Sequence, residues 1–422
     1  MNKTSNIPKE LLDKVESLKD EMVNTLVELI KIPAISPSSG GEGELDKAKK
    51  LLEIIKKWKF DDIIEVNAPD PRAKGGIRPN IVAIYKGKNE KDKIWFLTHM
   101  DVVPPGELSK WTECKPFEPV VKNGKVYGRG SVDNGQSLVA SLYAVKALMD
   151  LGIRPSRTVA LAFVSDEETG SEYGAQYLLK ARPDLFGEND WIVVPDGGNS
   201  EGSFIEIAEK GILWLRVKVT GKQVHGSMPD KGLNAHRVAA DFVITLDKKL
   251  HEKFNKRNDL FDPPRSTFEP TMVRGSAGSV NIIPSDHEIT FDCRILPEYT
   301  IDEVLNVVNQ TKNEIIAKHK KVIEGESLPK IEIEIVNRSD STKPTDPNSE
   351  IVKKLTESIQ KLRGITPKTG GIGGGTVAAF FRQKGIPAVV WCTIDEVEHQ
   401  PNEYASIKNM VEDAKVFLSL MI

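Results

Sequence analysis

Apolar and polar positions along this chain follow two periods. Residues 94–97 form a short unbroken apolar run, Ile-Trp-Phe-Leu, which ends in Thr98, His99, Met100 and Asp101. Runs of that kind fill strands buried on both faces. Residues 80–85, 157–164, 191–194 and 387–392 read the same way. Between them, apolar residues recur at helical spacing over 11–30, from about 44, over about 136–151 and over 349–362. Strand, helix and strand in alternation predict an α/β fold with a mostly parallel sheet and helices on both faces.

From about Gly211 the period changes. ILWLRVKVTG alternates apolar and polar, a helix is expected over about 234–254, and SVNIIPSDHEITFDCRIL alternates again. A helix over 301–319 then leads to the alternating KIEIEIVNRS. This pattern predicts an inserted α+β, ferredoxin-like unit with one polar sheet face. The expected division is a catalytic domain over 1–210, an inserted lid and dimerisation domain over 211–338, and the rest of the catalytic domain over 339–422.

Bulk properties narrow the function. With 422 residues, 39% hydrophobic and 28% charged, the chain is a multi-domain globular protein. A net charge of −3 gives no electrostatic reason for binding nucleic acid or an anionic membrane. The first residues lack the apolar core of a signal peptide, and no run reaches the ~18 apolar residues of a membrane span, so a cytoplasmic location is expected. Three widely spaced cysteines without C-x-x-C spacing leave histidines and carboxylates as the candidate metal ligands.

Those residue types converge. His99, Asp101, Glu167, Glu168, Asp196 and His399 all fall just beyond apolar strand runs, and Asp133 just before a helix. In open α/β sheets, strand ends are where ligands bind. Two imidazoles with several carboxylates suit zinc, with cobalt or manganese also accommodated, and two ions fit better than one. His236, His251, His287 and His319 lie on helical or strand stretches without a convergent partner and are expected to be structural or solvated. The glycine-rich loop at 370–376 fails the dinucleotide test, because no strand enters it directly and no acidic ribose partner follows.

The segments FLTHMDVVPPG, GRGSVDNG, SDEETGS, VHGSMPDKGLNA, SVNIIP, FDCRILP and VEHQPNE together resemble the dinuclear-zinc amidohydrolases of metallopeptidase family 20. That family includes acetylornithine deacetylase, succinyl-diaminopimelate desuccinylase, aminoacylase and dipeptidases. The resemblance implies His99, Asp133 and Asp196 on one zinc ion, and Asp133, Glu168 and His399 on the other, with Asp133 bridging. It implies Glu167 as general base toward a water bridging the ions, and Asp101 as the partner that orients His99. From the lid, His225 would meet the oxyanion, Arg294 and Asn281 the substrate's carboxylate or carbonyl, and Gly373 and Gly374 would line the pocket. The implied substrate is a small N-acyl amino acid, or alternatively a short peptide cleaved by a dipeptidase or carboxypeptidase, and the implied assembly is a homodimer. Asp196 stands in Pro-Asp-Gly where deacetylases and desuccinylases place Glu in E-P-[ST], which looks more like the dipeptidase branch.

Overall fold

The structure, a computed structural model, describes residues 7–275 and 278–422. Among these, one sheet has eight strands: β1 (Asp62–Pro69), β2 (Ile77–Tyr85), β3 (Asn89–His99), β4 (Arg157–Val164), β5 (Trp191–Asn199), β6 (Phe204–Glu209), β7 (Lys368–Ile372) and β8 (Ala388–Thr393). Their order is β1-β2-β4-β3-β5-β8-β6-β7. The central pairs β4/β3, β3/β5 and β5/β8 are parallel, as expected for unbroken apolar strands. On the flanks β1/β2, β2/β4 and β8/β6 run antiparallel, so the sheet is mixed.

Helices cover both faces. Adjacent residues of a strand point to opposite faces, and Phe96 meets Phe417 of the helix Ile407–Met421 at 5.1 Å between ring centroids, whereas Trp95 stacks on Phe186 at 4.4 Å. The helix Ser137–Asp150 is buried over most of its circumference, which explains its nearly continuous apolar sequence. With both faces closed, polar groups of the parallel strands can emerge only at their ends.

Residues through Ile207, 345–370 and 376–422 form one compact unit, and Ala208–Pro344 with Gly371–Gly375 form the second. The second contains a four-stranded antiparallel sheet in the order Thr267–Gly275, Asp286–Ile295, Gly211–Thr220, Lys330–Ser339. Its helices are Ala235–Lys253 and Ile301–His319. Asn234 caps the first by accepting from Arg237 N, and Thr300 and Glu303 form a capping box on the second. Alternate residues Leu213, Leu215, Val217 and Val219 pack on Phe242, Phe291, Val304 and Val308.

Several expectations need correction. The periodicity over 11–30 forms two helices, Lys9–Ser17 and Lys19–Ile30, because Leu18 leaves helical geometry while remaining buried. β1, β6, β7 and the strand Thr267–Gly275 were not expected, and β7 runs directly into the glycine-rich loop that was read as having no entering strand. The first and last are antiparallel strands, and Thr267–Gly275 is irregular at Pro270 and largely exposed, so the apolar signal is weak. His236 and His287, expected to lack partners, face each other with their Nδ1 atoms 3.1 Å apart. His319 pairs with Asp241 at 2.6 Å and His251 with Asp247 at 3.2 Å, in keeping with structural roles.

Phe242 is fully buried at the centre of the second unit's core. Phe242→Ala is expected to cost about 3–5 kcal/mol of stability, the usual cost of a large core truncation. Urea denaturation followed by circular dichroism would show this as a lowered midpoint.

Candidate metal centre

Parallel strands bring the acidic and imidazole groups to one edge. β3 ends at His99, β4 is followed by Asp166, Glu167 and Glu168, β5 carries Asp196, and His399 lies in the loop after β8. Asp133 sits in the irregular segment Ser131–Gln136 that leads into the helix Ser137–Asp150.

Asp133 lies at the centre. Its Oδ1 is 2.9 Å from His99 Nε2, and its Oδ2 is 3.0 Å from His399 Nε2. Asp196 Oδ1 is 3.5 Å from His99 Nε2, and Glu168 Oε2 is 3.1 Å from His399 Nε2. Ligand atoms of His99, Glu167 and Asp196 cluster within 4.8 Å of one another, as do those of His99, Asp133 and Glu168. His99 is buried and His399 is exposed, so the cluster has a closed side and an open side.

Charge explains what the cluster wants. Burial works against an imidazolium at His99, yet Asp196, Asp101 and Asp133 outweigh it and hold its pKa well above the usual value. Hydrogen bonds to Asp133 and Glu168 raise His399 to about 10. Glu167 moves well above the ordinary carboxyl value, first through burial and then through the Asp196 carboxylate. Four carboxylates around two imidazoles leave a deficit of positive charge, which protons on the imidazoles partly fill. Divalent cations answer the same demand, and the nitrogen and oxygen donors suit them.

Surrounding groups hold the cluster in shape. Asp101 is buried and accepts from Glu167 N and Glu168 N, each at 3.0 Å. His99 Nδ1 is 3.0 Å from the main-chain oxygen of Asp101 and 3.5 Å from the carboxylate of Asp101. That carboxylate therefore anchors the glutamate turn as well as facing the imidazole. Asn134 donates to Asp196 Oδ1 at 2.6 Å and to Pro195 O at 2.9 Å.

Sequence reasoning missed Glu403. Its carboxylate accepts from Gly130 N, Val132 N and Asp133 N at 3.1, 3.0 and 3.2 Å and pairs with Arg129 at 2.6 Å. Its signal was proximity to His399 in EHQPNE. Also missed was a buried group in which Arg78 pairs with Glu44 at 2.5 Å and Asp166 at 3.3 Å. Nothing in the strand pattern marks Arg78, which lies within β2.

The other expected site residues lie in the second unit. His225 is exposed, and its Nδ1 meets Ser227 Oγ at 2.8 Å. Gly226 N donates to Asn281 O at 2.7 Å, so His225 and Asn281 belong to one small two-stranded piece. Arg294 donates to both oxygens of Asp292 at 2.6 and 2.9 Å and to Gly373 O at 2.8 Å. Gly374 neighbours Gly373 in the 371–375 segment.

The family model described as Peptidase family M20/M25/M40 matches residues 95–422. The chain belongs to this family. An uncharacterized metallohydrolase of Methanocaldococcus jannaschii is 43% identical over 414 residues, covering 96% of this chain and 99% of the relative. A succinyl-diaminopimelate desuccinylase of Nitratiruptor is 28% identical, with 92% and 95% covered. The solved Saccharomyces cerevisiae di-peptidase Dug1p superposes with a TM-score of 0.74 at 17% identity, covering 98% of this chain and 97% of that one. As an M20 member, the protein is a metal-dependent hydrolase of amide bonds acting on small peptides or acyl amino acids. No helix among the described residues is long and apolar enough to cross a membrane.

Because the carboxylates keep His399 protonated up to about pH 10 without metal, metal uptake must displace that proton. At pH 8, zinc binding is expected to release protons, and its apparent affinity to rise with pH until His399 would deprotonate unaided. Calorimetry in buffers of different ionisation enthalpy counts the protons, and a count of zero contradicts this account.

Proposed function

We propose that this M20 enzyme hydrolyses the amide bond of N-acyl amino acids of the acetyl or succinyl kind, using two zinc ions that cobalt or manganese can replace. The 28% identity to a desuccinylase supports the acyl class. Support for two ions comes from Asp133, whose two oxygens each face a different imidazole. In this reading His99, Asp133 and Asp196 hold one ion, and Asp133, Glu168 and His399 the other.

The observation that carries the mechanism is the carboxylate of Glu167. It lies within ligand reach of His99 and Asp196, its proton affinity is raised, and it has no hydrogen-bond partner among the described residues. Glu168, by contrast, is committed to His399. Distance alone would allow Glu167 to bind metal; the unpartnered carboxylate is why we assign it to proton transfer. Divalent ions held by these residues would polarise the scissile carbonyl and make water more acidic. Glu167 takes a proton from the attacking water and delivers it to the leaving amine. Asp101 fixes the turn from which Glu167 acts.

We assign His225 to the developing oxyanion, Arg294 and Asn281 to the substrate's carboxylate or carbonyl, and Gly373 and Gly374 to the pocket lining. The homodimer belongs to the same reading, because the edge strand Thr267–Gly275 exposes Met272 and Val273, an edge suited to pairing with a second copy. A cytoplasmic location completes it. A dipeptidase reading is the alternative, favoured by Asp196 where the deacylases carry glutamate.

Glu167→Gln is expected to keep the wild-type metal content and to lose about 10²–10⁴-fold in turnover, the usual scale of general-base catalysis. The assay is release of the free amino acid from N-acetyl and N-succinyl amino acids and from dipeptides, with zinc, cobalt and manganese supplied separately. Unchanged turnover removes Glu167 from the base role, and lost metal makes it a ligand. Faster cleavage of dipeptides than of every acyl amino acid selects the alternative substrate.

A further inference from the structure

A second pair of imidazoles lies in the second unit, apart from the residues assigned above. His236 is in the first turn of the helix Ala235–Lys253, and His287 is on the strand Asp286–Ile295. Their Nδ1 atoms face each other at 3.1 Å, with ring centroids 4.7 Å apart and planes inclined at 67°. His287 is buried at 6% exposure, whereas His236 is exposed.

A hydrogen bond between two neutral imidazoles accounts for the contact but uses only one proton and one lone pair. The spacing also fits a chelate. With nitrogen–metal bonds of about 2.0–2.1 Å, two ligands subtend about 2.9 Å at a right angle and about 3.3–3.4 Å at the tetrahedral angle. The observed 3.1 Å lies between these values.

The surroundings leave room for an ion. A cavity of about 440 Å³ adjoins the pair, lined by Asn234, Val273, Gly275, Pro284 and Asp286 besides the two histidines. Gly275 is directly opposite His287 in the strand pairing, and a Cβ there would stand 3.7 Å from His287 Nδ1. A side chain at that register position would begin in van der Waals contact with the nitrogen, and glycine leaves that space open. Burial, and then the nearness of His236, lowers the pKa of His287, which favours the neutral form that ligates metal.

We propose that His236 and His287 form a separate site for a divalent transition-metal ion of the zinc class, bound through both Nδ1 atoms, with water from the cavity completing the coordination. Such an ion clips the first turn of the helix to an inner strand of the four-stranded sheet in its own unit. It takes no part in amide hydrolysis, so the site stands whether or not the substrate assignment does.

The test uses the full chain, first saturated with zinc at its catalytic centre and then given additional Zn²⁺, with wild type compared against His236→Gln and His287→Gln. Equilibrium dialysis is expected to show one more zinc ion per wild-type chain than per variant chain. The additional zinc should also raise the melting temperature of the wild type alone, while all three proteins hydrolyse substrate equally. In protein labelled with ¹⁵N-histidine, two Nδ1 resonances, one of them missing from each variant, should shift on that addition. Equal zinc content in wild type and the folded His236→Gln protein overturns the proposal, as do unmoved Nδ1 resonances. Because His236 is exposed, its substitution leaves this comparison available should His287→Gln fail to fold.

Discussion

Excess negative charge at the ends of buried parallel strands is the constraint on which this structure depends. Asp133, Glu167, Glu168 and Asp196 crowd around two imidazoles, with Asp101 and Glu403 immediately behind. Removing carboxylates from water is expensive, and proximity to one another adds repulsion. The fold sustains the arrangement by giving the rear carboxylates dedicated donors and leaving the front ones facing a place for cations. Asp101 receives two backbone N–H groups, and Glu403 three together with a guanidinium.

Those donors come from the loops that carry the front residues. Glu403 holds the backbone at 130–133 and thereby places Asp133, while Asp101 holds the turn that bears Glu167 and Glu168. Stabilising a buried charge and shaping the site are thus one set of hydrogen bonds. Farther back, the buried Lys47 donates to Met100 O at 2.9 Å, between His99 and Asp101. Burial lowers its pKa to about 8 against the pull of Asp101, Glu44 and Glu403. Arg78 answers Glu44, Asp70 and Asp166 together, which joins the helix Leu45–Ile55, β2 and the glutamate turn through one guanidinium.

The front of the site was legible in the sequence because its residues follow directly from strand pattern. An apolar run shows where a strand ends, and β3, β4, β5 and β8 end close to His99, Glu167, Asp196 and His399. Behind it only Asp101, just past the end of β3, was legible. Glu403 meets Asp133 across 270 positions, and Arg78 meets Asp166 across 88, so their significance lies in contacts that no local period encodes. The same limit hid the His236–His287 pair, 51 positions apart on a helix and a strand that each looked ordinary. In the fold, strands with continuous or strictly alternating apolar residues could be read, as could helices with a clear cap or stripe. β1 was lost because its burial is incomplete, and Thr267–Gly275 because Pro270 and a register shift interrupt it.

The residues proposed to hold metal all belong to the first compact unit, whereas His225, Asn281, Arg294, Gly373 and Gly374, proposed to meet substrate, all belong to the second. Under that proposal the division separates two physical tasks. Cation capture depends on a fixed excess of carboxylates, and altering one of them changes the charge balance at every other member. Substrate choice depends on the shape and polarity of groups that do not share that charge. Arg294, already held by Asp292 and Gly373 O, can be replaced without unbalancing the metal centre, and Asp133 cannot. A change of acyl group or peptide is therefore easier to accommodate in the second unit than a change of reaction is in the first. Under the proposed roles, that asymmetry would let one charge arrangement serve different substrates.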